Sequence, residues 1–186
     1  MALLCEKIAG SQRMEILLSR DQIASAVARI GQQITVDFAG ETVVLIGVLK
    51  GACLFLSDLA RQIDLNATFD FIAVRSYGSG KESGGEVQLI KDVTAPVRDQ
   101  NVVLVEDILD TGLTLTFLRK HLMAHQPRAL KMATLLDKPS RRAVPMHADY
   151  VGFEIPDKFV VGYGLDYAER YRNLPDICVL DDVECE

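Results

Sequence analysis

The chain has no tryptophan, 3 histidines and 4 cysteines among its 186 residues, and no apolar run near the roughly 18 residues of a membrane span. Each scarcity narrows the field. The cysteines (Cys5, Cys53, Cys178 and Cys185) are scattered without a CxxC pair, and a zinc site needs closer ligand spacing than they or the histidines supply. Cys53 falls in an apolar helical pattern and Cys178 in an apolar strand pattern, where free cysteine behaves as a small hydrophobe. His121 and His125 are spaced for one helical face, but they sit near a helix end where a cation is favourable anyway. The helix-end reading is preferred over a metal role. Residues 1–10 carry Glu6 and Lys7 and lack the apolar core of a signal peptide. No membrane association is expected, and the expected location is cytoplasmic. A net charge of −6 with no long Lys/Arg run argues against nucleic acid as a partner. It leaves room for an anionic small ligand, which backbone amides can bind locally.

What is present is a well-supplied core. The hydrophobic share is 49% and a quarter of the residues are charged, which fits a single globular domain spanning residues 1–186. Ser19 and Gln22 have capping-box spacing, and Ile23, Val27, Ile30 and Ile34 then recur at helical intervals. Residues 43–49 form a continuous apolar run suited to a strand covered on both faces. A helix is predicted from the spacing of Leu54, Leu56, Leu59, Ala60 and Ile63. Further strands are predicted at 69–74, 102–105 and 130–136, with a helix over 114–125. Alternation of strand and helix implies an α/β fold with a mainly parallel sheet flanked by helices. The core is expected over about 19–138. Beyond it, 139–186 reads as a small extension containing short strands at 150–155, 159–164 and 177–180. The glycine-rich stretch 77–85 is either an exposed hairpin loop or a lid that closes over a reacting site.

The chemistry concentrates at two strand ends, where ligands of open α/β sheets bind. Leu49-Lys50-Gly51 places a cation beside a glycine that allows close backbone approach. The second segment is VLVEDILDTGLT (residues 103–114). Its residues Asp110, Thr111, Gly112, Leu113 and Thr114 open a helix, so their amides and hydroxyls can cradle a phosphate. Neither the G-x-x-x-x-G-K-[ST] nor the G-x-G-x-x-G pattern is present. Acidic residues near a helix start favour its dipole. That explains Asp110 more readily than Glu106 and Asp107, which suit sugar hydroxyls or a hard cation.

VLVEDILDTGLT resembles the phosphoribosyl-pyrophosphate motif of the type I phosphoribosyltransferases. Leu49-Lys50-Gly51 resembles that family's pyrophosphate loop, and Ser76-Tyr77 the start of its lid. LLDKPSRR (residues 135–142) and VGFEIPDKFVVGYGLDY (residues 151–167) resemble the purine-recognition segments of its bacterial hypoxanthine-specific branch. The resemblance runs in family order from about residue 45 to 180. It implies the type I fold with a small hood formed by terminal segments. The implied reaction joins phosphoribosyl pyrophosphate to a 6-oxopurine, hypoxanthine or guanine, with inversion at the anomeric carbon. It also implies magnesium as cofactor and assembly as a homodimer or homotetramer.

Roles follow by the same likeness. Asp110 would accept the purine proton, a task for which an aspartate needs help from its surroundings. Glu106 and Asp107 would hold the ribose hydroxyls and, with Asp166, support magnesium. Asp110, Thr111, Gly112, Leu113 and Thr114 would bind the 5′-phosphate. Lys50, Gly51 and Arg172 would face the pyrophosphate, next to a Leu49–Lys50 peptide bond that in the family can be cis. Lys138 would donate to the exocyclic oxygen of the base, Phe159 would stack on it, and backbone groups of Val160 and Asp166 would read its remaining edge. Leu113 stands where some members carry lysine, which leaves phosphate contact there to the backbone. A xanthine-preferring enzyme and a non-enzymatic nucleotide-sensing regulator are the alternatives. The acidic balance and the Lys138, Phe159 and Asp166 set speak against the regulator.

Overall fold

In a computed structural model, residues 14–77 and 86–180 are described. The glycine-rich stretch read as a loop or lid falls mostly at 78–85, outside the described residues, as do Cys5 and Cys185. Strand β1 (Met14–Leu18) leads into helix α1 (Arg20–Asp37). The capping box is formed: Ser19 Oγ accepts from Gln22 N–H, and Gln22 Oε1 accepts from Ser19 N–H at 2.9 Å. Ile23, Val27, Ile30 and Ile34 lie on its buried face. Truncating Ile30 or Ile34, both without solvent exposure, would cost about 2–5 kcal/mol.

Strand β2 (Thr42–Leu49), helix α2 (Cys53–Ala60), β3 (Asn66–Tyr77), β4 (Glu86–Lys91), β5 (Asn101–Leu109), helix α3 (Leu113–Ala124), β6 (Ala129–Asp137) and β7 (Tyr150–Glu154) follow. They form a six-stranded sheet in the order β4-β3-β2-β5-β6-β7, parallel except for β4. This is the α/β, mainly parallel architecture expected. Buried residues pack on both faces of the sheet, Leu45, Val103 and Val105 with α1 and α2, and Ile46, Val102 and Leu104 with α3. Double-sided burial explains why residues 43–49 and 102–105 are apolar without alternation.

Two differences from the expected pattern follow from pairing partners that local sequence does not reveal. Residues 150–155 are expected in the extension, but Tyr150–Glu154 pairs in parallel with β6 and completes the main sheet. The strand expected at 159–164 shrinks to β8 (Val160–Val161), because left-handed Gly162, Tyr163 and Gly164 turn the chain away. Together β1, β9 (Ile177–Leu180) and β8 form a small antiparallel sheet in the order β1-β9-β8, the hood of terminal segments. Cys178 is buried in β9 as expected, whereas Cys53 is exposed in the first turn of α2. Among the described residues no helix is long and apolar enough to cross a membrane.

Strand order reverses between β2 and β5: the chain steps outward from β2 to β3, then resumes on the other side at β5. In such sheets the crevice beyond the carboxyl ends at this switch point is where ligands bind. The ends concerned are Leu49-Lys50-Gly51 and residues 106–110, the two segments singled out by chemistry.

Candidate active site

Glu106 and Asp107 belong to β5 itself and not to the loop after it. The strand carries them inward, so Glu106 is buried and Asp107 half-buried. Burial, and then the negative charge of Asp107, push the Glu106 carboxyl well above the usual carboxylate range. Burial also raises Asp107, although contacts with Glu106, the Ile108 N–H and the nearby Arg172 oppose it. Two adjacent carboxylates in this state hold a proton or await a cation. Among the described residues two buried side-chain polar atoms lack a hydrogen-bond partner, Glu106 Oε2 and Arg172 Nε. Both belong to this crevice. Orphaned atoms of opposite character are what a site for an anionic ligand and a hard cation leaves behind.

The crowding at residues 106–107 has a measurable consequence. Carboxylates whose folded pKa is raised bind more protons in the folded than in the unfolded state, so they subtract stability as pH rises from the unfolded value near 4.5. Glu106→Gln is therefore expected to raise the Tm of the ligand-free protein at pH 8, by about 2–4 °C per kcal/mol recovered. The gain should fade on acidification towards pH 5, and activity should fall. Calorimetry at both pH values checks this; an equal shift at both would contradict the charge explanation.

Gly51 lies against the acidic pair. A Cβ built there would fall 1.6 Å from Asp107 Oδ2, so only glycine fits. The Leu49–Lys50 peptide bond is cis, as the resemblance implied. Gly164, at φ +101°, approaches so closely that a Cβ would sit 2.1 Å from the Gly51 carbonyl oxygen. The Gly164 carbonyl accepts from Arg172 Nη1 at 2.7 Å, and Arg172 Nη2 lies 2.8 Å from Asp166 Oδ1. Lys50, Gly51, Asp107, Asp166 and Arg172 are thus brought together. Asp166 is engaged by Arg172 and by the Glu169 N–H, so serving a metal would require loosening that pair.

Sequence reasoning missed Glu169. Its carboxylate bridges Lys50 Nζ at 2.8 Å and Arg172 Nη2 at 3.3 Å, and Lys50 is the main reason its pKa is lowered. Ala168, Glu169 and Tyr171 all have positive φ, and Tyr163 anchors the same loop by donating to Asp58 at 2.7 Å. Backbone this unusual outside glycine concentrates at functional sites. No pattern in the sequence marks Glu169.

Residues 110–114, expected to cradle a phosphate, lead into the start of α3. Gly112 caps the helix at φ +84°, and Thr111 Oγ1 accepts from Leu113 N–H at 3.4 Å, so the next first-turn N–H groups are the ones that can meet a ligand. Glu106, Asp107, Asp110, Thr111, Gly112 and Thr114 line a single cleft. Leu113 is exposed beside it. Arg142, present in LLDKPSRR but given no role, holds the cradle in place. It donates to the Leu109 carbonyl at 2.9 Å, to the Asp110 carbonyl and to the Asp137 carboxylate.

The residues expected to recognise the base are linked to Asp110 through ion pairs. Asp110 Oδ1 accepts from Arg141 Nε at 3.3 Å; Arg141 reaches Asp157 at 3.9 Å, and Asp157 lies 3.8 Å from Lys138 Nζ. Lys138 is buried, and its backbone N–H donates to the Leu109 carbonyl at 3.0 Å. Phe159 is 36% exposed, with its ring against Tyr167 edge-to-face at 5.7 Å. Val160 pairs with Val179 in the hood. Ser76 and Tyr77 end β3, and their side chains lie outside the described residues.

Comparison with known proteins agrees with this geometry. Residues 14–168 match the phosphoribosyl transferase domain. The chain belongs to that family. It is 47% identical over 166 residues to the hypoxanthine-guanine phosphoribosyltransferase of Staphylococcus aureus, covering 89% of this chain and 93% of that one. A crystal structure of the Bacillus anthracis hypoxanthine-guanine phosphoribosyltransferase superposes with TM-score 0.83 at 48% identity, covering 90% of this chain and 99% of that one. The chain is also 45% identical over 178 residues to the bifunctional protein TilS/HprT of Listeria innocua, 93% of this chain but 28% of that protein's length. It thus spans about a quarter of the Listeria protein.

Proposed function

We propose that this chain is a purine salvage transferase that moves the phosphoribosyl group of phosphoribosyl pyrophosphate to hypoxanthine and guanine. The products are the nucleoside monophosphate and pyrophosphate. The supporting observation is the pair of orphaned atoms, Glu106 Oε2 on β5 at the switch point and Arg172 Nε, whose guanidinium acts on the neighbouring Asp107. The first suits sugar hydroxyls or a metal, and the second a pyrophosphate.

In the reaction a purine ring nitrogen forms a bond to the anomeric carbon as the bond to the pyrophosphate oxygen breaks on the opposite face. The nitrogen's proton passes to a base, the role proposed for Asp110, which lines the same cleft as Glu106 and Asp107. Positive charge grows on the sugar beside Glu106 and Asp107. Negative charge grows on the leaving group beside Lys50 and Arg172, where fixed cations stabilise it. Glu169 bridges both cations, and pyrophosphate would displace it. Magnesium, held by Glu106 and Asp107 and supported by Asp166, would neutralise pyrophosphate charge as a hard cation bound by oxygen. The functional unit is expected to be a homodimer or homotetramer.

Lys138 Nζ would donate to the 6-oxygen of the base. Adenine presents an amino group there, leaving a buried donor facing a donor. Lys138→Ala is expected to raise KM for hypoxanthine and guanine about tenfold or more while narrowing the gap to adenine. Steady-state kinetics with the three bases checks it, and an unchanged gap would remove Lys138 from the reading role.

The direct test is pyrophosphate release by purified protein given magnesium and phosphoribosyl pyrophosphate. Release should begin only on addition of hypoxanthine or guanine. Folded protein inactive with both bases would overturn the proposal, and turnover with xanthine alone would reassign its substrate.

A further inference from the structure

Away from the crevice, the two histidines assigned to a helix end have acquired a third partner. His121 lies in the last turn of α3 and His125 is its C-cap, four residues on, so their rings fall on one side of the helix end. The ring centroids are 5.0 Å apart. Asp92, the residue after β4, points its carboxylate at them, with both oxygens 3.0 Å from His121 Nε2. One donor atom from each residue lies within 4.8 Å of the other two. We infer that Asp92, His121 and His125 form a binding site for a zinc-type divalent cation, separate from the substrate crevice.

The scaffold around these donors is fixed. Lys91 Nζ donates to the carbonyls of Phe71 and Asp92 and to Asp70 Oδ1, and Thr94 donates twice to Asp70 Oδ2. The chain on both sides of Asp92 is therefore tied to β3. Asp92 Oδ1 also accepts from Val93 N–H at 2.8 Å, which sets the carboxylate's direction. On the helix, Phe117 stacks parallel to the His121 ring at 6.4 Å, over buried Leu118 and Leu122.

An ion pair between His121 and Asp92 accounts for two members, and His125 brings a second imidazole beside the same carboxylate. Two protonated imidazoles at 5.0 Å would repel, whereas two neutral imidazoles and one carboxylate can share a dication. Zinc with arms of 2.0–2.1 Å needs donors about 3.4 Å apart, so small side-chain rotations complete three positions and water takes the fourth. Two nitrogens and one oxygen suit zinc and its late first-row neighbours and disfavour magnesium. His121 lies seven residues beyond Thr114, roughly 10 Å along the helix from the phosphate cradle. A cation here would bolt the segment after β4 to α3.

The test is titration of EDTA-treated, tag-free full-length protein with zinc chloride by calorimetry, beside thermal melting. The wild type should bind one equivalent at this site and melt higher with zinc. His125→Asn keeps the His121–Asp92 pair and alters an exposed residue, so its fold should be intact. It should weaken this binding by more than about tenfold and abolish the zinc-dependent rise in Tm. Asp92→Asn should do the same, and millimolar magnesium should not compete. Absence of one-equivalent binding by the wild type, or His125→Asn binding zinc as the wild type does, would overturn the assignment.

Discussion

Gly51→Ala should lower kcat/KM by about a hundredfold or more, because displacing a reacting group by an ångström is enough for that loss. The new methyl would stand 1.6 Å from Asp107 Oδ2 and 2.5 Å from its Cγ. Asp107 has little freedom to retreat, since it belongs to β5 and its Oδ1 accepts from Ile108 N–H at 2.8 Å. The Gly51 loop must move instead. It carries Lys50 away from Glu169 and strains the contact between the Gly51 carbonyl and Gly164. One methyl group thus disturbs the sugar side and the pyrophosphate side together. Steady-state kinetics on protein shown by circular dichroism to be folded would measure it. Wild-type kcat/KM would mean that the Gly51–Asp107 approach has no part in catalysis.

Asp110→Asn tests the other half of the mechanism. The amide keeps the shape of the side chain but cannot accept a proton, so kcat should fall about 10²–10⁴-fold, the usual range for loss of a general base. KM for phosphoribosyl pyrophosphate should change little, because the cradle is held by Arg142 through the Leu109 and Asp110 carbonyls rather than by the Asp110 carboxylate. That split, kcat without KM, separates a chemical role from a binding one. A normal kcat would exclude Asp110 as the base.

Much of the fold was legible because apolar runs report double-sided burial. Residues 43–49 and 102–105 have no reason to be continuously apolar unless helices cover both faces. The Ser19–Gln22 cap is equally local. What escaped was non-local: β1 has no distinctive pattern and exists because β9 pairs with it, and Tyr150–Glu154 is a sheet strand because β6 offers an open edge.

The site divides in the same way. Glu106, Asp107 and Asp110 stood out because their crowding is costly wherever the chain goes. Glu169 and Arg142 did not, since one acts by bridging two distant cations and the other by gathering carbonyls. Asp92 is the sharpest case. His121 and His125 were visible as a pair, but their third partner comes from another element, 29 residues before His121.

Discrimination between bases bears most directly on the central assignment. With saturating phosphoribosyl pyrophosphate and magnesium, kcat/KM for hypoxanthine should exceed that for adenine by about 10⁴-fold or more, the scale set by leaving a buried donor unpaired. Comparable values for the two bases would contradict the reading of Lys138 and the assignment to 6-oxopurines with it.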